Sequence, residues 1–176
     1  MHVVILGMPG SGKTTVSELL SRRLHVPRVA SGDIARRMAT VDPHTAVALE
    51  QGKMAPEESM RMETRRALEA ADLESGGWIL DGFPRDLAQL VCLMDWTPAL
   101  PAFVHLDASE WTVIERLTSR RRDDDTPDAI ARRILDHQVH VRPVLDALAS
   151  GRVLIQAPRH LDPDQTADYV EGAILR

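Results

Sequence analysis

The residues best placed to do chemistry in this 176-residue chain are Gly7-Met8-Pro9-Gly10-Ser11-Gly12-Lys13-Thr14. They fit the phosphate-loop pattern of glycine, four residues, Gly-Lys and Ser/Thr. Glycines at these places let backbone N–H groups turn inward around phosphate oxygens, and a following helix adds its positive N-terminal end. Lys13 can reach the β- and γ-phosphates of a nucleotide, and the Thr14 hydroxyl can help to hold Mg²⁺. By average residue usage, a chain of this length matches the pattern by chance roughly once in 200 sequences. The loop predicts a bound nucleotide but does not choose a reaction.

The elements around the loop are those that the motif needs. His2 to Leu6 is a continuous apolar run ending in glycine, as in a buried parallel strand. A helix follows from about Lys13 to Leu24, with Val16, Leu19, Leu20 and Leu24 on one face. Arg28 to Ala30, Trp78 to Leu80, Ala102 to Leu106 and Arg152 to Gln156 read as further strands. Ser31 or Asp33 is expected to cap a helix to about Thr40, which Asp42-Pro43 ends. Further helices are expected at Thr45 to Gln51, Pro56 to Glu74, Ser109 to Arg121 and Asp164 to Leu175. Another runs from Pro127 to Ala149 with a kink at Pro143. Short apolar strands alternating with amphipathic helices predict a layered α/β fold.

Composition narrows the class. Apolar residues make up 44% and charged residues 27%, enough for one domain with a real core. The net charge of -5 disfavours binding to a polyanion such as nucleic acid. No apolar run is long enough to span a membrane, and no secretory signal is visible, so a cytoplasmic protein is expected. A single cysteine, Cys92, excludes an internal disulfide and any zinc site built from several thiolates. All 21 cations except Lys13 and Lys53 are arginine. The seven histidines show no metal-ligand spacing, and Trp78, Trp96 and Trp111 read as packing residues.

Four further segments follow the phosphate loop in order. They are Ala30-Ser31-Gly32-Asp33-Ile34-Ala35-Arg36, then Gly52-Lys53-Met54-Ala55-Pro56, Leu80-Asp81-Gly82-Phe83-Pro84-Arg85 and Arg122-Asp123-Asp124-Asp125. Arg133 and Arg142-Pro143 come after them. Over nearly the whole chain this set resembles the adenylate kinase family of nucleoside monophosphate kinases. The resemblance implies a P-loop NTPase fold, a doubly wound five-stranded parallel sheet flanked by helices. It further implies one domain over 1–176, an acceptor-binding insert at about 31–60 and a short lid loop at about 120–127. The implied reaction is reversible, Mg²⁺-dependent transfer from ATP to AMP, giving two ADP, in a monomer with no nucleic-acid or membrane partner. Phosphoryl transfer onto an already anionic oxygen needs converging cations and dryness rather than a general base. Arginine suits this because its planar fork binds two phosphate oxygens at once.

Residue by residue, the resemblance places Gly10, Ser11, Gly12, Lys13, Thr14 and Thr15 on the ATP phosphates. Arg116 or Arg120, with the backbone near Ala157, would meet the donor base. Thr14, and Asp81 through water, would hold Mg²⁺, with no zinc. Lys13, Arg85, Arg121, Arg122 and Arg133 would act on the transferring group. Arg120 and Arg121 compete for one lid position, with Arg121 preferred, and Asp124 and Asp125 would orient these arginines or help to place the metal. Arg36 and Arg85 would grip the acceptor phosphate, and Arg122 and Arg133 would reach it from the lid side. Ser31, Met54, Ala55, Gly82 and Gln89 would complete the AMP site. Ser31 stands where AMP-using members carry Thr and pyrimidine kinases carry Ala. Gln89 matches the glutamine that hydrogen-bonds adenine, which together with Ser31 favours AMP over UMP or CMP. A sister kinase with another acceptor, or a non-catalytic nucleotide-binding module, remains the alternative. No role is assigned to Lys53.

Overall fold

A computed structural model describes residues 1–53, 55–97, 99–119, 126–151 and 154–175. Five parallel strands are β1 (His2–Gly7), β2 (Arg28–Ala30), β3 (Trp78–Asp81), β4 (Ala102–Leu106) and β5 (Leu154–Ala157). They lie in the order β2-β3-β1-β4-β5, with Val3 paired to Ile79 on one side and to Ala102 on the other. Every strand leaves the sheet at the same end, where a doubly wound fold gathers its loops into a crevice. The five-stranded parallel sheet flanked by helices is the architecture that the resemblance implies.

Alternation along β1 divides the core. Val4 and Leu6 pack with Trp78, Leu80 and Phe103 on one face, and Val3 and Ile5 with Ile79 and Val104 on the other. The first face is covered by α2 (Ser31–Ala39), α4 (Glu57–Ser75), α5 (Leu87–Trp96) and α8 (Arg142–Ser150), through residues such as Ile34, Leu68, Leu93 and Leu148. The second is covered by α1 (Lys13–Leu24) and α9 (Pro163–Ile174), through Val16, Leu20, Ala167 and Val170. Each of these side chains, fully removed from water, contributes roughly 1.5–3 kcal/mol. A third, smaller cluster joins α6 (Glu110–Ser119) to α7 (Pro127–Asp136) through Val113, Leu117, Ile130 and Ile134. The remaining helix, α3 (Pro43–Glu50), begins at Asp42, whose carboxylate accepts hydrogen bonds from the N–H groups of His44 and Thr45.

The structure corrects several sequence expectations. Neither Ser31 nor Asp33 caps α2: the helix starts from Ala30, and both side chains are engaged elsewhere. The helix expected from Pro127 to Ala149 is interrupted just ahead of Pro143. It passes into a π turn at His137–Val141, where the Arg142 N–H reaches back to the His137 carbonyl, and Pro143 opens α8. Proline has no N–H to give and its ring crowds the carbonyl four residues back, so widening the preceding turn absorbs the misfit. Trp111 is no packing residue; it is 78% exposed on the outer face of α6. Helix α5 was not expected, and the expected start of β5 at 152 lies outside the described residues. No helix among the described residues is long and apolar enough to cross a membrane.

Candidate active site

The phosphate loop leaves β1 at Gly7 and turns into α1 at Lys13. Gly7 has φ +150°, and a Cβ there would lie 2.4 Å from the Leu106 carbonyl oxygen of β4, so only glycine fits. The Lys13 ammonium lies back across its own loop, donating to the carbonyls of Gly7 at 2.9 Å and Met8 at 2.7 Å. These are weak neutral acceptors that an anionic phosphate oxygen would outcompete. Arg116 reaches the same loop from α6, donating to the Gly10 carbonyl at 3.4 Å.

Beside the loop, β3 ends at Asp81, 6% exposed. Its Oδ2 accepts hydrogen bonds from Thr14 Oγ1 at 3.2 Å and from Arg28 at 3.2 Å. A hydroxyl and a carboxylate converging at the mouth of the phosphate loop form a hard-oxygen donor pair that fits Mg²⁺. Among the described residues no group of three or more His, Cys, Asp or Glu could hold a metal by itself, so a magnesium here would be carried largely by phosphate oxygens and water.

The chain then turns through Gly82, the cis Phe83–Pro84 peptide and Arg85. The half-buried Arg85 guanidinium donates from Nε to the Gly82 carbonyl at 3.0 Å and from a terminal nitrogen to Ser31 Oγ at 3.4 Å. Burial, and then the nearby Arg133 cation, loosen its hold on the proton, while Asp81 and Asp136 counter them. The group stays charged, and its lost hydration makes a phosphate the more favourable partner. Ser31 in turn donates to the Gly82 carbonyl at 2.8 Å. Gln89 is 4% exposed rather than a surface helix residue; its Oε1 accepts the Arg85 backbone N–H at 2.9 Å. Ser31, Gly82, Arg85 and Gln89 are therefore tied into one unit. Arg36 lies across α2 from this unit, held to Asp33.

All these groups line a single cleft of about 1240 Å³. Its lining includes Gly10, Ser11, Gly12, Lys13, Thr14 and Thr15 of the phosphate loop and α1, with Arg116 and Ala157. It also includes Ser31, Arg36, Ala55, Gly82, Arg85 and Gln89, together with Asp81, which the Thr14 hydroxyl touches, and Arg133 of α7. Gly52, at φ +68°, closes the cleft from above: a Cβ there would sit 2.7 Å from the Ala129 Cα of α7. Of the expected site residues, Met54, Arg120, Arg121 and Arg122, with Asp124 and Asp125, lie outside the described residues. Sequence reasoning passed over Arg28, Asp136 and His137, which also line the cleft, and left Lys53, another lining residue, without a role. An arginine opening the short apolar strand 28–30 was the one signal available for Arg28.

Comparison with known proteins agrees with this geometry. A family profile described as "Adenylate kinase" matches residues 5–152. The chain is 32% identical to a protein named "Adenylate kinase 1" from Nostoc sp., covering 96% of this chain and 94% of that one. It is 34% identical to an "Adenylate kinase" of Corynebacterium urealyticum over 99% and 97% of the two chains, and 35% identical to one of Nocardia farcinica over 83% and 84%. With a phosphate loop, a sheet order and a bipartite cleft that all agree with the profile match, the chain belongs to the adenylate kinase family.

Proposed function

We propose that this chain is an adenylate kinase, transferring a phosphoryl group reversibly from ATP to AMP to give two ADP. The observation that supports it most is the single cleft holding the phosphate loop at one end and the Arg36, Arg85, Ser31 and Gln89 group at the other. Its volume of about 1240 Å³ exceeds the roughly 300–1,000 Å³ usual for one small ligand, leaving room for two nucleotides end to end.

In this reading Lys13 exchanges its two carbonyl partners for donor phosphate oxygens, and the loop N–H groups bind the rest. Thr14, and Asp81 through water, would hold Mg²⁺, which would supply positive charge to neutralise the donor phosphates. Arg36 and Arg85 fix the acceptor phosphate in line with the donor, and Arg133 approaches the transferring group from α7, joined by Arg121 and Arg122 of the lid. Ala55 and Met54 wall the acceptor base, and the Gln89 amide reads it. Residues of about 31–60 form the acceptor arm and about 120–127 the lid, and the chain acts as a cytoplasmic monomer. No general base is needed, because the attacking phosphate oxygen is already anionic.

The test is product analysis with ATP, AMP and Mg²⁺. The wild type should form two ADP per AMP consumed. Lys13→Ala should lower turnover by at least about a hundredfold with the fold intact, since a transition-state charge partner is lost. Near-normal turnover in that variant would sink the assignment.

A further inference from the structure

Arg28 opens β2, and the strand alternation that turns Val29 into the core beneath α4 sends Arg28 to the opposite face, toward α1. Its side chain is 16% exposed and divides its donors among three elements. Nε donates to Ser17 Oγ of α1 at 2.9 Å. One terminal nitrogen donates to Asp33 Oδ2 of α2 at 3.0 Å, and the other to Asp81 Oδ2 at the end of β3 at 3.2 Å. Ser17, with no exposed surface, donates a hydrogen bond from its hydroxyl to the Thr14 carbonyl at 2.9 Å, and Thr14 Oγ1 donates to Asp81 Oδ2 at 3.2 Å.

The contacts close a ring, Arg28–Asp81–Thr14–Ser17, with one branch. The branch runs from Arg28 through Asp33, whose Oδ1 accepts from Arg36 at 2.5 Å. Burial alone would raise the Asp33 pKa, but the hydrogen bonds and charges of Arg36 and Arg28 hold the carboxyl below its ordinary range. Both donors to Asp81 fall on Oδ2, so among the described residues Oδ1 accepts no hydrogen bond from the protein. An exposed ion pair contributes little to stability, and its geometry is loose. A mostly buried guanidinium with its fork split among three acceptors instead fixes the orientation of each of them.

We propose that Arg28 is a positioning residue that locks the Thr14–Asp81 oxygens of the donor side and Arg36 of the acceptor side into one register. It rests on the functional reading above, which supplies the phosphates on either side. Arg28 touches neither substrate in this arrangement: it acts on Arg36 through Asp33, and on the metal-side oxygens directly. A lysine could satisfy one of the three acceptors but not the fork.

Calorimetric titration with AMP alone, without ATP or Mg²⁺, tests the acceptor half on the wild type, Arg28→Gln, Arg28→Lys, Asp33→Asn and the double variant. Circular dichroism establishes that each is folded. Arg28→Gln should weaken AMP binding about tenfold, the usual scale for losing a partner that orients a ligating group. Arg28→Lys should recover little of that loss, and the double variant should bind no more weakly than Arg28→Gln. The Mg²⁺ concentration giving half-maximal rate should shift in Arg28→Gln and not in Asp33→Asn, which leaves the Arg28–Asp81 contact in place. Wild-type AMP affinity in Arg28→Gln, full recovery in Arg28→Lys, additive losses in the double variant or an unmoved Mg²⁺ dependence would each overturn the proposal. Should Arg28→Gln fail to fold, Arg28→Lys and Asp33→Asn still decide it. A wild type that binds no AMP would remove the functional reading itself, whereas equal binding by wild type and Arg28→Gln removes only the role of Arg28.

Discussion

His137 is enclosed where α7 passes into the π turn, 9% exposed, with its Nε2 buried and without a hydrogen-bond partner among the described residues. Burial disfavours the imidazolium, and Lys13, His105 and Arg142 disfavour it further, against Asp107 alone in its favour. The pKa falls from 6.5 to about 4. Because the folded value is the lower one, the neutral ring stabilises the fold above pH 6.5, and that contribution is lost as pH falls toward 4. At pH 5 the unfolded ring is protonated and the folded ring is not. The difference is about 1.5 pH units, or about 2 kcal/mol at 1.36 kcal/mol per unit. His137→Phe keeps a planar aromatic ring, somewhat larger than the imidazole, while removing both the titration and the orphaned nitrogen. Urea unfolding followed by circular dichroism at pH 7, 6 and 5, without nucleotide, should find the variant within about 1 kcal/mol of wild type at pH 7. At pH 5 it should have gained about 2 kcal/mol on the wild type. A stability difference that stays constant from pH 7 to pH 5 would refute the reasoning.

Two further substitutions separate the halves of the cleft. Arg85→Ala should raise KM for AMP at least about tenfold while changing KM for ATP less than about threefold, because the guanidinium is tied to Gly82 and Ser31, the group proposed to bind the acceptor; equal effects would argue against that role. Gln89→Ala removes the acceptor of the Arg85 backbone N–H as well as the amide proposed to read the base. It should therefore weaken AMP binding by more than about tenfold and reduce discrimination between AMP and CMP, both read by competition kinetics. Unchanged discrimination would remove Gln89 from base recognition.

Much of this was legible in the sequence because local chemistry and global position agreed. Helix α1 and strands β2 and β4 lie at the residues expected, since Gly12, Pro27 and Pro101 stand directly ahead of them. The glycine-rich loop was legible because its backbone geometry forbids other residues, as the Leu106 carbonyl against Gly7 makes plain. Helix α5 was hidden because Leu87 to Trp96 is apolar almost all round and gives no clean 3.6-residue stripe. Its start was marked all the same: Asp86 caps the Gln89 N–H at 2.7 Å, the same Asp-x-x-Gln spacing that begins α9 at Asp162. The π turn was invisible because only the sterics of Pro143 within a packed helix pair require it. Trp111 misled because residue type predicts burial only on average, and its place on α6 faces outward. Arg28 was missed for a deeper reason: its three partners, Ser17, Asp33 and Asp81, converge only after the sheet forms.

Adenylate kinase activity requires that this one cleft bind a triphosphate donor and accept AMP. The most direct measurement is ADP formation from Mg²⁺ and ATP, with AMP, UMP, CMP, GMP and dTMP offered in parallel at equal concentration. The expected result is transfer to AMP, with kcat/KM at least about tenfold above that for any other acceptor, as a buried amide reading the base should give. A preference for UMP or CMP, or ATP hydrolysis with no transfer to any of the five, would contradict it.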